Sequence, residues 1–163
     1  MSRLSAMHGD TAFSATLPTP FGPFGIRVEA EMIAELVFLP PDTPLRAPDS
    51  QLARHAARQI EAWLANPDFR FDLPLAPRGT AFQQRVWQQI SDIPRGQVRT
   101  YGELAGRLSS ASRAVGQACG ANPFPLVIPC HRVVSKTGIG GFAGAIGGHL
   151  LDTKRWLLTF ESR

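Results

Sequence analysis

The sequence predicts an α+β protein built from two small domains, and three observations along the chain support this prediction. Short runs that alternate apolar and polar residues occupy the first third of the chain. Amphipathic helical segments with good N-cap residues occupy the half that follows Thr80. Between them, the segment from Ala76 to Gly79 interrupts both patterns with a proline and a glycine. We therefore expect an N-terminal α/β domain at residues 1–78 and a second domain at residues 79–163.

The N-terminal domain is expected to hold a small sheet and one helix. Apolar residues recur at helical spacing between Ser50 and Asn66, and Pro67 ends that segment. A loop precedes the helix, because residues 40–48 contain four prolines. The predicted strands, the last of them an edge strand, are residues 11–17, 25–30, 32–39 and 69–75.

The second domain is predicted to be mainly helical, with two short helices joined by a tight turn. Thr80 and Thr100 can cap the first two helices. Ser110 or Ser112 is expected to cap a third helix that ends near Gly120, so that the second and third helices form a helix-turn-helix. Many enzymes contain paired short helices, and this pattern alone does not specify a function. The remaining predicted elements are a short strand at 133–134, a glycine-rich segment at 138–148 and a last helix at 152–160.

Basic charge is concentrated in the second domain. Residues 1–79 contain seven Arg or Lys and nine Asp or Glu, whereas residues 80–163 contain ten and four. The second half is therefore the candidate for binding a phosphate backbone. A solvated basic surface without a partner would give the same counts.

The composition favours a cytoplasmic protein that does not bind or cross a membrane. None of the apolar runs approaches the roughly 20 residues of a membrane-spanning helix. The first ten residues contain one Arg and no apolar block, so no secretory signal is expected. With only two cysteines, Cys119 and Cys130, a disulfide framework is not expected either.

The segment around Cys130 carries the strongest chemical signal in the sequence. A cysteine followed by His131 and Arg132 can be held as a reactive thiolate, because positive charge stabilises that form and imidazole can take the proton. Three prolines within residues 122–134 exclude a helix and fix the approach to the sulfur. Without further context, a small buried cysteine beside a surface histidine would be the commoner explanation of such a pair.

The residues around this pair resemble the active-site signature of the O6-alkylguanine-DNA alkyltransferases. The signature runs from Pro129 to Val134 and is preceded by Asn122 and Pro123. Several ordered motifs within one segment are far more specific than one short pattern. In the N-terminal domain the similarity is slight. The further motifs that resemble the family are Gly79–Trp87, Ile93–Gly96, Thr100–Ala105, Arg113–Gly116 and Lys154–Leu158.

The resemblance implies a fold, an activity and a partner. The expected fold is a ribonuclease-H-like α/β domain followed by a winged-helix-like domain that binds duplex DNA through its helix-turn-helix. The expected activity is direct-reversal repair, in which an alkyl group passes irreversibly from O6 of guanine, or from O4 of thymine, to Cys130. The damaged base is expected to be flipped out of the duplex by a protein bound in the minor groove. A monomer without cofactor is expected, and without the structural zinc of some relatives, because no cysteine precedes Cys119.

Five residues are expected, from the resemblance, to carry the chemistry. Cys130 is the alkyl acceptor, His131 takes the thiol proton through a water molecule, and Glu161 orients that histidine. Asn122 braces the turn that holds the cysteine. Tyr101 donates a hydrogen bond to N3 of guanine, which makes the base a better leaving group.

A second set of residues is expected, again from the resemblance, to bind DNA and the flipped base. Arg113 replaces the flipped nucleotide in the base stack, and Ala114 belongs to the helix that approaches the minor groove. The backbone carbonyls of the acceptor cysteine and of Val133 would select guanine through its exocyclic amine. Phe142 and Ala143 line the pocket, and Phe142 stands where many relatives have tyrosine. The other small residues expected to face the groove are Gly116, Ala118, Gly120 and Ala121.

Three other functions compete with repair. An alkyltransferase-like protein that binds the lesion without repairing it would replace Cys130, usually with tryptophan. A winged-helix transcription factor of this family would carry an added regulatory domain with several cysteines, and a cysteine hydrolase would turn over esters or peptides. One departure concerns the repair function itself. The link from Gly144 to Thr153 is longer than usual and lies beside the alkyl pocket, so we expect tolerance of alkyl groups larger than methyl.

Overall fold

The computed structural model of the chain describes residues 13–142 and 148–163. The chain divides into two units, one that extends to Ala76 and one that runs from Pro77 to Arg163. The predicted α+β class is confirmed, because the described residues form two small sheets and five α-helices. Among these helices, none is long and apolar enough to cross a bilayer.

The first unit is built on a three-stranded antiparallel sheet. Its strands are β1 (Ala15–Leu17), β2 (Phe24–Glu29) and β3 (Met32–Phe38), in the order β1-β2-β3. Ala30 and Glu31 join β2 to β3 with positive φ angles of 50° and 59°. Positive φ at both central residues of a two-residue hairpin turn matches the twist of the strands it connects.

One helix, α1 (Gln51–Ala65), packs its apolar face in this unit. Ser50 caps it, because the Ser50 side chain accepts a hydrogen bond from the amide of Ala53 at 3.1 Å. The apolar side chains of α1 that face the core, including Ile60 and Trp63, are buried. Burial of such a face supplies most of the stability of a helix of this length.

The predicted edge strand at 69–75 is largely wrong. Only Leu75 forms a bridge, to Ile33 of β3, and no strand is assigned over the rest of that segment. The Gln59 side chain explains the difference, since it donates to the carbonyl of Asp72 at 2.9 Å and accepts from its amide at 2.8 Å. A side chain of α1 thus satisfies backbone groups that a neighbouring strand would otherwise pair.

The second unit begins with α2 (Ala81–Ser91), which starts at the predicted cap. The Thr80 hydroxyl accepts from the amide of Gln83, and the Gln83 side chain accepts from the amide of Thr80. This reciprocal arrangement satisfies two amides that the first turn of a helix leaves free. On the buried face of α2, the Trp87 indole donates to the carbonyl of Ala118 at 2.9 Å.

The helix-turn-helix consists of α3 (Tyr101–Arg107) and α4 (Ser112–Gly120). Thr100 caps α3 with a second reciprocal pair, formed with Glu103. The predicted serine cap of α4 is wrong, because Ala111 occupies that position without a side-chain hydrogen bond.

The C-terminal cap of α3 explains why no serine caps α4. Ser109 has a φ of 52°, the amide of Ser110 donates to the carbonyl of Ala105, and the amide of Ser109 donates to that of Gly106. These two bonds form a Schellman motif, which satisfies the last carbonyls of α3. Ser110 therefore belongs to the end of the first helix, and Ala111 is the residue that remains before the next.

The remaining elements bring the chemical signature into the second unit. Strands β4 (Arg99–Thr100) and β5 (Val133–Val134) pair in parallel, and β5 follows the predicted acceptor directly. The last helix, α5 (His149–Glu161), begins three residues earlier than predicted. Part of the segment expected to be a long link is therefore helical, and residues 143–147 of that link lie outside the described residues.

Candidate active site

Cys130 opens a single turn of 3-10 helix, Cys130–Arg132, that leads into β5. The turn is closed by two backbone hydrogen bonds, from the Cys130 amide to Ile128 at 2.8 Å and from the Arg132 amide to Pro129 at 2.9 Å. The residue is buried, with 6% of its surface exposed. The proline before it has no amide hydrogen, which prevents the turn from extending backwards into a helix.

Asn122 connects this turn to the segment before it through three hydrogen bonds. Its side-chain oxygen accepts from the amide of Phe124 at 2.9 Å. Its side-chain nitrogen donates to the carbonyl of Ile128 at 2.9 Å and to the Cys130 sulfur at 3.1 Å. An N–H donor aimed at sulfur stabilises the thiolate more than the thiol, so Asn122 favours the reactive form as well as the position of the sulfur.

His131 and Glu161 form a buried pair beside the thiol. The Nε2 atom of His131 lies 2.7 Å from Oε1 of Glu161, and both residues are 1% exposed. Because the carboxylate accepts the proton on Nε2, the basic nitrogen of the neutral ring is Nδ1. Burial lowers the pKa of His131 although the carboxylate opposes this, and the ring is therefore neutral at pH 7 and able to accept a proton.

Arg132 holds the second half of the same carboxylate. Its Nη2 and Nε atoms donate to the two oxygens of Glu161 at 2.6 Å and 3.0 Å, and Nη1 donates to the carbonyl of Ile93 at 2.7 Å. Burial would raise the pKa of Glu161, but the hydrogen bonds from His131 and Arg132 outweigh it and lower the pKa to about 2. The fork geometry fixes the orientation of the carboxylate, and through it the orientation of the imidazole.

Comparison with known proteins places this arrangement in a family. The DNA-binding domain described as that of 6-O-methylguanine DNA methyltransferase matches residues 81–163. The methylated-DNA–protein-cysteine methyltransferase of Methanosarcina acetivorans is 38% identical over 157 residues, which cover 91% of this chain and 97% of that protein. The protein of the same name from Mycobacterium tuberculosis is 37% identical over 153 residues, 90% of each chain. This chain belongs to the O6-methylguanine methyltransferase family.

Solved structures agree with this assignment. The crystal structure of Mycobacterium tuberculosis O6-methylguanine methyltransferase has a TM-score of 0.75 to this chain at 35% identity and covers 90% of both chains. The structure described as Mycobacterium tuberculosis OGT in complex with DNA gives a TM-score of 0.74. As a member of this family, the protein is a DNA-repair methyltransferase, and DNA is its partner.

Within this methyltransferase site, the positive charge that acts on the thiol belongs to a residue for which the sequence predicted no role. The sequence suggested Arg132, but that guanidinium points to Glu161 and Ile93. The positive charge that lowers the pKa of Cys130 is instead Lys154 of α5. A hydrogen bond with Cys119 and burial act more strongly in the opposite direction, and together they raise the pKa of Cys130 well above its ordinary value. The resting acceptor is thus a thiol that must lose its proton to react.

Lys154 itself is fully buried, with 0% exposure, and donates to three carbonyls. The acceptors are Val133 at 2.7 Å, Gly141 at 2.8 Å, and Ile139. The spacing of the apolar residues along α5 could have predicted that Lys154 is buried. Leu151 and Leu157 are buried on the same face, at spacings of three residues on either side of Lys154, so the lysine falls within the apolar stripe.

The rings of Tyr101 and Phe142 lie near the ammonium group of Lys154. The two ring centroids are 6.0 Å and 5.9 Å from its ammonium nitrogen. Burial, with the thiols of Cys119 and Cys130 nearby, raises the pKa of Tyr101 to about 12, and its hydroxyl donates weakly to the carbonyl of Gly141 at 3.4 Å. The tyrosine therefore keeps its proton and can act as a donor at physiological pH.

The residues predicted to bind DNA differ in how far they are exposed. On α4, Arg113 is exposed and Ala114 is half-buried, which leaves both accessible to a ligand. Ala118 does not face a groove, because it is 2% exposed and its carbonyl accepts from the Trp87 indole. Ala143 lies outside the described residues. The structure thus brings the five proposed chemical residues and Phe142 into one unit with Lys154, and the roles of these residues, like those of Arg113 and Ala114, stay predictions.

Proposed function

We propose that this methyltransferase repairs DNA by transferring an alkyl group from O6 of guanine to Cys130, once per molecule. The observation that carries the proposal is the buried thiol of Cys130, which accepts from Asn122 at 3.1 Å beside a neutral His131 that is paired with Glu161. An acceptor, a base and a group that orients the base are the components that nucleophilic catalysis requires. The same chemistry would act on O4 of alkylated thymine, which offers a similar leaving group.

The transfer is a substitution at the alkyl carbon. The thiol proton moves to Nδ1 of His131, through a water molecule, and the thiolate attacks the carbon attached to O6. The new S–C bond forms as the C–O6 bond breaks, and the electron pair of that bond remains on the guanine oxygen. Tyr101 donates to N3 and stabilises the negative charge that spreads over the leaving base.

The product of the transfer explains the stoichiometry that we propose. A thioether at Cys130 has no proton to lose, and carbon–sulfur cleavage would need a nucleophile at least as strong as the one consumed. The neutral histidine and the Glu161 carboxylate are not arranged to attack that carbon, because the carboxylate is held by His131 and Arg132. Each protein molecule therefore reacts once.

Access to O6 requires the base to leave the duplex. An alkyl group on O6 lies within the base stack, where no side chain can reach it in line. Flipping costs a few kcal/mol, less for a weakly paired lesion. The exposed Arg113 at the start of α4 would fill the vacated position, and the half-buried Ala114 would let the helix approach the minor groove closely.

Recognition of guanine would use backbone acceptors beside the sulfur. The carbonyls of Cys130 and Val133 would accept from the exocyclic amine of guanine, which adenine lacks at that position. Val133 already accepts from Lys154 at 2.7 Å, and a carbonyl oxygen has a second lone pair for the base. Phe142 and Ala143 would line the alkyl group. A monomer is sufficient for this function, because a single chain supplies every proposed residue.

Intact mass spectrometry tests the proposal directly. The protein is incubated with duplex DNA that contains one O6-methylguanine, and the expected result is a gain of about 14 Da that stops at one equivalent. Peptide mapping should locate the methyl group on Cys130. Duplexes with unmodified guanine and with N6-methyladenine are the controls and should give no gain. Lesion binding without any mass gain would support recognition without repair and would contradict the proposal.

Replacing Tyr101 with phenylalanine should slow methyl transfer by about 100-fold, because it removes the donor to N3. The matched substrate is a duplex with O6-methyl-3-deazaguanine, which lacks the N3 acceptor. The wild type on this analogue should be as slow as Tyr101→Phe on the natural lesion, and the variant should lose little more. Single-turnover rates of both proteins on both duplexes measure the coupling between the Tyr101 hydroxyl and N3 of the base. Independent losses from the two changes would show that the hydroxyl does not act at N3.

A further inference from the structure

We propose that Lys154 is a positioning residue for the transfer: its buried ammonium ties the acceptor turn to the pocket wall and provides the positive charge that stabilises the Cys130 thiolate. This inference rests on the proposed function, in which Cys130 is the acceptor. It adds a residue to the site that the sequence motifs contain but to which no role was assigned.

The positioning part of the inference rests on the three hydrogen bonds of Lys154. An ammonium group has three N–H donors, and each has a carbonyl partner, in Val133, Ile139 and Gly141. Val133 directly follows the acceptor turn, whereas the other two carbonyls precede the aromatic residue of the pocket. One side chain therefore fixes the separation between the sulfur and the wall that would face the alkyl group.

Gly140 shows how tightly this wall is held. It has a φ of +75°, and a Cβ atom built there would lie 3.1 Å from Cε2 of Tyr101 and 3.1 Å from the amide nitrogen of Ser135. A side chain at this position would be strained and would press on the tyrosine ring. The loop that Lys154 holds is thus packed against the proposed N3 donor.

The electrostatic part rests on what surrounds the ammonium. Burial lowers the pKa of Lys154 to about 8, and the nearby thiols of Cys119 and Cys130 oppose this. Within residues 13–142 and 148–163, no carboxylate pairs with Lys154, so its charge is not cancelled locally. The guanidinium of Arg132, by contrast, is already paired with Glu161. The unpaired charge in the site is therefore that of the lysine.

Four titratable groups share this environment with Lys154. They are Cys130 and His131 of the acceptor turn, Cys119 of α4, and Tyr101 of α3. The positive charge of Lys154 lowers the pKa of both cysteines and of His131. The effect on Cys130 favours the attacking thiolate, whereas the effect on His131 weakens the base that accepts the thiol proton.

The test compares Lys154→Met with Lys136→Met, since the chain has two lysines and Lys136 is exposed. Methionine retains most of the volume and removes the charge. Iodoacetamide alkylation of Cys130, followed by peptide mapping across pH 6 to about 10, reports thiolate formation without DNA. We expect the alkylation rate of Cys130 at pH 7, which is proportional to its thiolate fraction, to fall by about 10-fold or more in Lys154→Met and to stay unchanged in Lys136→Met.

Methyl transfer measured across the same pH range separates the charge from a merely structural role. If the charge matters, Lys154→Met should be slow at neutral pH and should recover toward the wild-type rate as the thiol ionises. Lys154→Arg should restore part of the neutral-pH rate. An equal loss of transfer rate at every pH, with an unchanged alkylation rate at pH 7, would overturn the electrostatic part of the proposal.

A second measurement covers the case in which Lys154→Met does not fold. In wild-type protein labelled with ¹⁵N-lysine, the two side-chain ammonium groups can be titrated separately by NMR. Because the stabilising charge is lost as Lys154 deprotonates near pH 8, the logarithm of the Cys130 alkylation rate should rise with pH with a slope below one above that pH. An unbroken slope of one through the titration of Lys154 would overturn the inference. Absence of a methyl group on Cys130 in the repair assay would instead overturn the proposed function and leave this coupling intact.

Discussion

Cys130→Ser should abolish methyl transfer while leaving lesion binding intact. A serine hydroxyl has no accessible anion at neutral pH, and loss of the nucleophile in hydrolases costs on the order of 10⁴–10⁶-fold in rate. The proposed contacts of Arg113 and Ala114 lie on α4, and Cys130 itself would contact the base only through its backbone carbonyl, which the substitution retains. Single-turnover mass spectrometry should show no methyl adduct, and fluorescence anisotropy should show a dissociation constant for O6-methylguanine duplex within a few-fold of the wild-type value.

Cys119→Ser provides the matched control for Cys130→Ser. The chain has two cysteines, and the thiol of Cys119 interacts with that of Cys130, so it is the alternative acceptor within reach. Cys119→Ser should still carry one methyl group, located on Cys130, although its rate can change because the neighbouring thiol is lost. A methyl group on Cys119 in the Cys130→Ser protein would show that the acceptor is not unique and would contradict the proposal.

Glu161→Gln should lower both the stability of the second unit and the rate of transfer. The carboxylate holds His131 at 2.7 Å and Arg132 at 2.6 Å, and the substitution leaves a buried guanidinium without its counter-charge. Breaking one partner of a buried ion pair costs about 3–5 kcal/mol in the free energy of unfolding. Loss of the oriented imidazole should slow transfer by about 100-fold or more, the usual contribution of a positioned base. Urea denaturation and single-turnover kinetics measure the two effects.

The pH dependence of the free energy of unfolding independently measures how much the Glu161–His131 pair stabilises the fold. The pKa of Glu161 is lowered to about 2, so its stabilising contribution is complete above its unfolded pKa near 4.5 and is lost as pH falls toward 2. His131 adds to the loss at low pH, since its lowered pKa means that the folded state resists protonation below about 6.5. The wild type should therefore lose stability between about pH 6.5 and 2, and Glu161→Gln should show a flatter profile between about pH 4.5 and 2, where the carboxylate contributes.

Glu103→Gln is the control for Glu161→Gln. Glu103 is an exposed residue of the capping box that starts α3, and glutamine can make the same capping hydrogen bond. Its unfolding free energy and its transfer rate should both match those of the wild type. A loss in Glu103→Gln as large as that in Glu161→Gln would mean that the buried pair is not the source of the effect.

Much of the fold was predictable because local signals determine it. Thr80 and Thr100 each begin a helix with a reciprocal cap, and both caps can be recognised from residues three positions apart. Strands β1, β2 and β3 follow the alternating pattern of the first third. The errors have non-local or competing causes. Gln59 of α1 takes the backbone groups of Asp72, and no pattern within residues 69–75 could reveal a partner thirteen positions away.

The candidate site was predictable only in part. The Cys-His sequence and the surrounding motifs identified the acceptor turn, but adjacency in sequence suggested that Arg132 would serve the thiol. The Arg132 guanidinium instead pairs with Glu161, the same carboxylate that holds His131, and a partner 29 positions along the chain is not visible from the motif. Lys154 was missed because lysines are seldom buried, and its three carbonyl partners come from residues with no polar side chains, Val133, Ile139 and Gly141.

The hydrogen bond from the Trp87 indole to the carbonyl of Ala118 makes α4 a rigid spacer between two parts of the proposed site. Near its C-terminal end the helix is fastened by the indole, and there the amide of Asn122 donates to the carbonyl of Cys119 at 3.2 Å. Its other end carries Arg113. Nine helical residues span about 13 Å, so the length of this one helix sets the distance between the proposed wedge and the start of the acceptor segment. An added or deleted residue in α4 would alter that reach and rotate Arg113 by about 100° around the helix axis.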